Sequence, residues 1–160
     1  MKRITVSTDK SKLDVPFIQH FLKDIYWAAG RTIAEVQTTI AHSFCFGIYL
    51  GDKQIGFARV ITDYVVFAYV MDVFITEEYR GKGYSSLLID NMMNEPQLKN
   101  IQIWRLATTD AHFLYRKFGF KELAGCKIYL KAFQLNTIMQ CLQSEQCRYM
   151  LADEVGLGKT

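Results

Sequence analysis

The sequence predicts an α/β domain in which helices cover a mixed sheet. Three observations carry this prediction: apolar residues alternate with a period of two in several short segments, they recur at helical spacing in others, and the two kinds of segment interleave. The predicted order is β-α-α-β-β-β-α-β-α-β over residues 1–131, so the sheet begins antiparallel and becomes parallel later. A helical extension is predicted over residues 132–160, which gives two domains.

The first predicted elements are one strand and two helices. Residues 2–7 alternate as a strand, and Pro16 then favours the start of a helix. The apolar residues of that helix follow at helical spacing: Ile18, Phe21, Leu22 and Ile25. Gly30 breaks the chain before a second helix over residues 32–41.

A hairpin and a long apolar strand are predicted next. Residues 44–50 and 54–61 alternate as strands, joined by Gly51-Asp52, a two-residue turn of the glycine-first kind. The strand at 65–75 is apolar on both faces, which is typical of a central strand covered on both sides.

The second half of the chain alternates helices and strands. A third helix begins at about Gly83 and ends before Pro96, with four residues predicted on its apolar face: Tyr84, Leu87, Leu88 and Met92. A strand follows at 101–107, then a short helix that Gly119 ends, with Ala111, Leu114, Tyr115 and Phe118 as its apolar residues. A last strand is predicted at 126–131.

Composition limits the class of protein. The chain has 160 residues, of which 50% are hydrophobic and 14% aromatic, enough for one globular domain with a core. A net charge of +3 is too small to argue for nucleic acid as a partner of this chain alone. The four cysteines have no metal-ligand spacing, so no metal is expected, and they indicate reduced thiols in a cytoplasmic protein.

No membrane partner is expected from the sequence either. The longest apolar stretch, residues 65–71, is far shorter than the ~20 residues that a membrane-spanning helix needs. The N-terminus lacks the apolar segment of a signal peptide. Whether two copies form a homodimer stays open, because nothing in the pattern tests it.

The turn Arg80-Gly-Lys-Gly83, between the apolar strand and the third helix, is the strongest functional signal. Its glycines allow a tight backbone turn in which several N–H groups point at one anion, and the helix N-terminus adds partial positive charge. Arg80 and Lys82 add whole charges, although either could simply face solvent. A phosphate or pyrophosphate cradle is one interpretation, and an ordinary basic loop is the other.

Two segments together resemble the motifs of the GNAT acetyltransferases. The strand, the turn and Ser85 resemble that family's acyl-CoA-binding motif, and Asp110-Ala-His-Phe-Leu-Tyr115-Arg-Lys-Phe-Gly119-Phe120 resembles its second signature. The resemblance covers about residues 1–131 and implies a central sheet that is partly splayed. Ser85 stands where the family usually has Gly or Ala, and Thr108 where it often has Asn.

The resemblance implies transfer of an acetyl group from acetyl-CoA, as co-substrate, to a primary amine of a small molecule or a protein by direct attack. The pyrophosphate would lie on the backbone of the turn and the pantetheine arm along the end of the strand. The residues that the resemblance places at the cofactor are Phe74, Ile75, Arg80, Gly81, Lys82, Gly83, Tyr84 and Ser85.

Two side chains are candidates for the chemistry. Tyr115 matches the tyrosine that would protonate the departing thiolate, and a core tyrosine is the alternative. Asp72 interrupts a strand whose expected same-face neighbours are apolar (Val66, Ala68, Val70 and Phe74), so its carboxylate either pairs with a cation or stays neutral. It would hold or deprotonate the acceptor amine, or else have a structural role at the strand splay.

The C-terminal end carries a different resemblance. Asp153-Glu-Val-Gly-Leu-Gly-Lys159-Thr160 is similar to the phosphate loop of helicase-like ATPases of the Swi/Snf type. No helix or acidic residue follows Lys-Thr in this chain, so residues 132–160 alone should not hydrolyse ATP. The alternative function is therefore a non-catalytic CoA-binding or interaction module appended to a helicase-like motor.

Overall fold

The described strands, five in number, form one sheet in which their order in space is their order along the chain. The computed structural model describes residues 3–25, 28–108 and 111–120. The strands are β1 (Ile4–Ser7), β2 (Phe44–Leu50), β3 (Lys53–Thr62), β4 (Phe67–Ile75) and β5 (Ile103–Leu106). β1 to β4 pair antiparallel and β5 pairs parallel to β4, so the predicted mixed sheet is confirmed.

The described α-helices are α1 (Val15–Leu22) and α2 (Ile33–Ala41) between β1 and β2, α3 (Tyr84–Met93) between β4 and β5, and α4 (His112–Arg116) after β5. The sequence starts α1 by capping, because Asp14 accepts a hydrogen bond from the Phe17 N–H and Pro16 needs no donor there. Thr32 and Glu35 form a reciprocal capping box that starts α2. Both helix starts therefore lie within a residue or two of those predicted.

The two faces of the sheet carry separate hydrophobic clusters. On one face, Leu88, Ile89 and Met92 of α3 pack against strand residues that include Val70 and Ile75. On the other face, residues of α1 and α2 pack against Cys45, Phe57 and Phe74: they are Ile18, Leu22, Val36 and Ile40. The sheet is thus covered on both sides, as the apolar pattern of β4 indicated.

β4 is paired with β5 over only part of its length. The last β4–β5 pair is Val70 with Leu106, and β4 continues to Ile75. Over its last five residues β4 therefore pairs with β3 alone among the described strands. This is the partly splayed sheet that the GNAT resemblance implied.

Several local predictions were corrected. Leu87 is exposed, and Ile89 takes its place on the buried face of α3. α1 ends at Leu22, and Ile25 packs on the same cluster from the turn that follows, which explains its helical spacing. β4 begins at Phe67 instead of Val65, because a turn there is held by Asp63.

Some predictions fall outside the described residues. They are the strand at 126–131, the boundary between two domains at residue 131, and the phosphate-loop-like end, and all three stay predictions. Within the described residues, no helix has the length and apolar character needed to cross a membrane.

Candidate active site

The turn between β4 and α3 depends on two glycines in the left-handed region. Gly81 has a φ of 72° and Gly83 a φ of 81°, values that side-chain-bearing residues rarely adopt. A Cβ added at either position would meet no atom within 4 Å. The turn therefore requires glycine for its backbone shape, and the space beside it is open.

The N-terminus of α3 presents unpaired donors to that space. Gly83 precedes the helix, and no side chain caps it among the described residues. The first N–H groups of a helix have no intrahelical acceptor, and the helix dipole makes this end electropositive. Tyr84 and Ser85, the first residues of α3, therefore carry backbone donors suited to an anion.

The two cations of the turn brace it from within. Arg80 Nε donates to the Ile75 carbonyl at 3.1 Å, which ties the turn back to the end of β4. Lys82 Nζ donates to the Glu78 carbonyl at 3.0 Å and lies 5.2 Å from the centroid of the Tyr79 ring. Their charges remain close to the open space, but their hydrogen bonds are to the protein's own backbone.

The last residues of β4 are rigidly held on the side of β3. Gly56 of β3 pairs with Ile75, and a Cβ on Gly56 would lie 2.5 Å from the Phe74 carbonyl oxygen. The Phe74 ring stacks on that of Phe21 with centroids 3.8 Å apart. The backbone of Phe74 and Ile75 is thus fixed on the β3 side. Its other edge lies beyond the last pair with β5 and has no partner among the described strands.

Tyr115 lies on α4 and is buried in the cluster that includes Val70 and Ile75 of β4. α4 ends where the sequence predicted, since the Gly119 N–H donates to the Arg116 carbonyl and the Phe120 N–H to the Tyr115 carbonyl. The Phe120 ring meets the Tyr115 ring edge-on at 5.7 Å. Both interpretations of Tyr115, as acid and as core residue, fit this position.

Thr108 has a specific role just before α4. Its hydroxyl oxygen accepts the Ala111 N–H at 3.1 Å. A serine or threonine oxygen can satisfy an N–H at the start of a helix as an asparagine oxygen would. The departure from the family pattern at this position therefore keeps a side-chain acceptor.

Asp72 is a buried ion held by two arginines. Its Oδ2 accepts Arg59 Nε at 2.5 Å and Arg31 Nη1 at 2.8 Å, and its side chain has no exposed surface. The second carboxylate oxygen, Oδ1, is buried and accepts no hydrogen bond from the described residues. Of the two options that the sequence left for this carboxylate, pairing with a cation is the one observed.

The expected neighbours of Asp72 were partly wrong. Asp72 has a φ of 52°, and the β3–β4 register shifts here, so that Phe57 pairs with Phe74 but Arg59 with Met71. This β-bulge places Asp72 on the α1–α2 face, opposite Ala68 and Val70, because one extra residue reverses the alternation of a strand.

Sequence reasoning missed Arg31 and Arg59. Arg59 sits in the apolar run Gly56-Phe-Ala-Arg-Val60 of β3, where a buried cation needs an anion on a neighbouring strand. That isolated charge was the available signal. Arg31 lies in the connection between α1 and α2, where nothing in the pattern separates it from a surface arginine.

Cys45 is the one cysteine among the described residues. It is buried on β2, and burial raises the pKa of its thiol to about 11. At neutral pH this thiol stays protonated and is a poor nucleophile. Within the described residues, therefore, no thiolate is available to form a covalent acyl intermediate.

Comparison with known proteins places this geometry among acetyltransferases. A family model described as the acetyltransferase (GNAT) domain matches residues 41–122. A protein of Gibberella zeae named as an acetyltransferase is 30% identical over 142 residues, covering 73% of this chain and 78% of that protein.

Solved structures show the same fold. A Xanthomonas campestris protein described as an acetyltransferase of the GNAT family is 38% identical, with a TM-score of 0.73 over 100% of this chain and 99% of that one. A Clostridium acetobutylicum acetyltransferase, in a crystal structure with acetyl-CoA, is 16% identical, with a TM-score of 0.58 over 85% of this chain and 98% of that one. The second likeness supports the fold alone.

Proposed function

Because the chain belongs to the GNAT acetyltransferase family, we propose that it transfers the acetyl group of acetyl-CoA directly to a primary amine of a small molecule or a protein. One observation carries the proposal. The half of β4 that has no second partner among the described strands, residues 71–75, leads straight into a glycine turn and a helix N-terminus without a side-chain cap. An extended chain ending in a pyrophosphate fits that arrangement.

The cofactor would bind by two kinds of backbone contact. The pantetheine arm would add to the free edge of β4 at Phe74 and Ile75, as a peptide adds to a sheet edge. The pyrophosphate would accept N–H groups from Gly81 to Ser85, at the electropositive end of α3. Arg80 and Lys82 would add long-range attraction while bracing the turn.

The transfer needs few groups beyond that cofactor site. The amine nitrogen attacks the thioester carbonyl carbon, and the C–S bond breaks as the tetrahedral intermediate collapses. A backbone N–H at the end of β4 would polarise the carbonyl, and the Tyr115 hydroxyl would give its proton to the departing sulfur. Direct attack agrees with the absence of a reactive thiolate among the described residues.

Asp72 would act on the acceptor amine. Its Oδ1 has no donor among the described residues, so it can accept an N–H of the amine or take its proton, directly or through water. Its Oδ2 is occupied by both arginines, which hold the carboxylate in place. The acceptor site is thereby expected on the α1–α2 face of the sheet.

The test begins with binding and continues with turnover. Acetyl-CoA should raise the melting temperature of the full chain, since a ligand that binds only the folded state stabilises it. Ser85→Glu, which puts a carboxylate at the pyrophosphate, should remove that stabilisation. Asn91→Glu is the matched control, because it makes the same charge change at an exposed position of the same helix.

Turnover is then measured as release of the CoA thiol with a panel of amines. Thiol release that depends on an amine supports the proposal. Stabilisation by acetyl-CoA without thiol release from any amine would favour the non-catalytic module. Absence of stabilisation would overturn CoA binding altogether.

A further inference from the structure

The buried cluster of Arg31, Asp72 and Arg59 holds more positive than negative charge. Two guanidinium groups share one oxygen of a single carboxylate, at 2.8 and 2.5 Å, and the other oxygen has no partner among the described residues. A buried ion of one sign in excess is costly unless a further group compensates it. Among the described residues, the cluster is therefore incomplete in two respects: its extra cation has no second anion hydrogen-bonded to it, and Oδ1 has no donor.

The two arginines are held very differently. Arg59 donates from Nε to Asp72, from Nη1 to the Ser43 hydroxyl at 3.1 Å and from Nη2 to the Met71 sulfur at 3.5 Å. Its side chain is 5% exposed, so it is fixed. Arg31 makes a single hydrogen bond with its guanidinium, and its side chain is 20% exposed.

The backbone of Arg31 is nevertheless anchored. Its carbonyl accepts Gln19 Nε2 of α1 at 2.9 Å, and Thr32 beside it starts α2. The guanidinium can therefore turn outward about its own side chain while the connection between the helices keeps its place. Its remaining N–H donors make no hydrogen bond to the described residues, and they suit a carboxylate.

We infer that the acceptor is a small amine that also carries a carboxylate, of the amino-acid type. The inference rests on the proposed function and names its substrate class. The carboxylate would pair with Arg31, and the amine would donate to Asp72 Oδ1, next to the proposed thioester site at the end of β4. With the amine neutral, as attack on the thioester requires, the substrate's carboxylate supplies the second anion for the two arginines, and the amine N–H supplies the donor for Oδ1.

An amine without a carboxylate fits this cluster poorly. As an ammonium ion it would bring a third cation to one carboxylate, and an Arg31 displaced by it would gain no anion from the substrate. The nearest acidic side chain on α2, Glu35, is exposed and its Oε2 already accepts the N–H and the hydroxyl of Thr32. A carboxylate carried by the substrate is the better match.

The experiment compares each α-amino acid with its amide and with the amine left by decarboxylation. We expect the full-length protein to prefer the acid by about 10- to 100-fold in kcat/KM, the range of one charge-assisted pair. The amide is the sharper comparison, because its amine loses a proton more readily. A preference for the acid over the amide therefore reports recognition and not reactivity.

Arg31→Met tests whether Arg31 binds the substrate carboxylate. The ratio of kcat/KM for the acid to kcat/KM for the amide should fall to near one in this variant. Arg31→Lys should keep part of the ratio, because it keeps the charge. Arg3→Met, an exposed change just before the far edge strand β1, is the control and should leave the ratio as in the parent protein.

The outcomes separate this inference from the proposed function. Equal rates for acid and amide, an unchanged ratio in Arg31→Met, or turnover of none of the amino acids by a protein that binds acetyl-CoA would overturn the inference. Loss of acetyl-CoA binding in the parent protein would instead overturn the proposed function. Circular dichroism and the acetyl-CoA melting shift of Arg31→Met confirm that the variant is folded.

Discussion

The two halves of β4 differ although they belong to one strand. Phe67 to Val70 pairs with β3 on one side and β5 on the other, and Asp63 fixes the turn before it through three backbone N–H groups. Met71 to Ile75 has β3 as its single described partner, and Asp72 there is buried, at positive φ and in a bulge. The first half is a regular strand with a partner on each side. The second half is irregular and contains a buried charge.

Features that destabilise the folded state are concentrated in the second half of β4. A strand edge without a partner among the described strands, a residue at positive φ and a buried ion each cost free energy, and all three occur within five residues. The same segment faces the glycine turn that is suited to a pyrophosphate. Functional sites are where a protein is expected to keep features that cost folding free energy, so their concentration beside an anion site fits a functional strand end.

The largest effect is expected from Asp72→Asn. It would leave Arg31 and Arg59 without their counter-charge, and the loss of one partner from a buried ion cluster costs about 3–5 kcal/mol. Urea unfolding measures the change. Asp24→Asn, at an exposed position, is the matched control and should stay near the parent value. A loss below about 1 kcal/mol would show that the second half of β4 does not depend on this ion.

Tyr115→Phe should affect catalysis and spare binding. Removing the proposed proton donor is expected to lower kcat by about 100-fold, the lower range for general acid catalysis. The melting shift caused by acetyl-CoA should persist, because the backbone cradle is untouched. Phe118→Leu, a conservative change on the same segment, is the control for packing. A kcat equal to that of the parent would leave Tyr115 as a core residue only.

Gly56→Ala should disturb the second half of β4 from the side of β3. The new Cβ would lie 2.5 Å from the Phe74 carbonyl oxygen, a backbone atom that cannot turn aside, and such overpacking costs about 1–3 kcal/mol. Gly47→Ala is the matched comparison, since the three atoms nearest its Cβ all belong to the Tyr49 side chain and none to the backbone. Equal losses in the two variants would contradict the view that β4 is rigidly positioned here.

The smallest effect concerns the paired half and depends on pH. The N–H groups of Phe67, Val65 and Val66 lower the pKa of Asp63, so its stabilisation is present above the ordinary aspartate pKa and is lost as pH falls through the lowered value. The difference in melting temperature between the parent and Asp63→Ala should therefore be constant near neutral pH and shrink below about pH 4. A difference that does not change with pH would show that the charge is irrelevant to this turn.

Most of the fold could be predicted from local pattern. The hairpin at Gly51, the position of α2 and the end of α4 near Gly119 follow from residues close together in sequence, so they were found. The positive φ at Gly81 and Gly83 was implicit in the turn for the same reason. The strand at 126–131 stays a prediction.

The cluster around Asp72 could not be predicted in this way. Its three charged residues come from a helix connection, β3 and β4, and they meet only once the register of β3 against β4 is known. The bulge sets that register, and no short-range pattern marks it. The sequence therefore identified Asp72 as unusual but grouped it with Ala68 and Val70, which lie on the opposite face.

The bulge also means that an odd and an even number of deleted residues have different effects in β4. Side chains alternate between two faces, so a chain with one residue fewer between Val70 and Ile75 would exchange the faces of Phe74 and Ile75, whereas one with two fewer would not. Sequences of relatives aligned across this segment should therefore tolerate gaps in even numbers and resist odd ones. Odd gaps there would indicate proteins that have lost the bulge, and with it the reason to bury an aspartate.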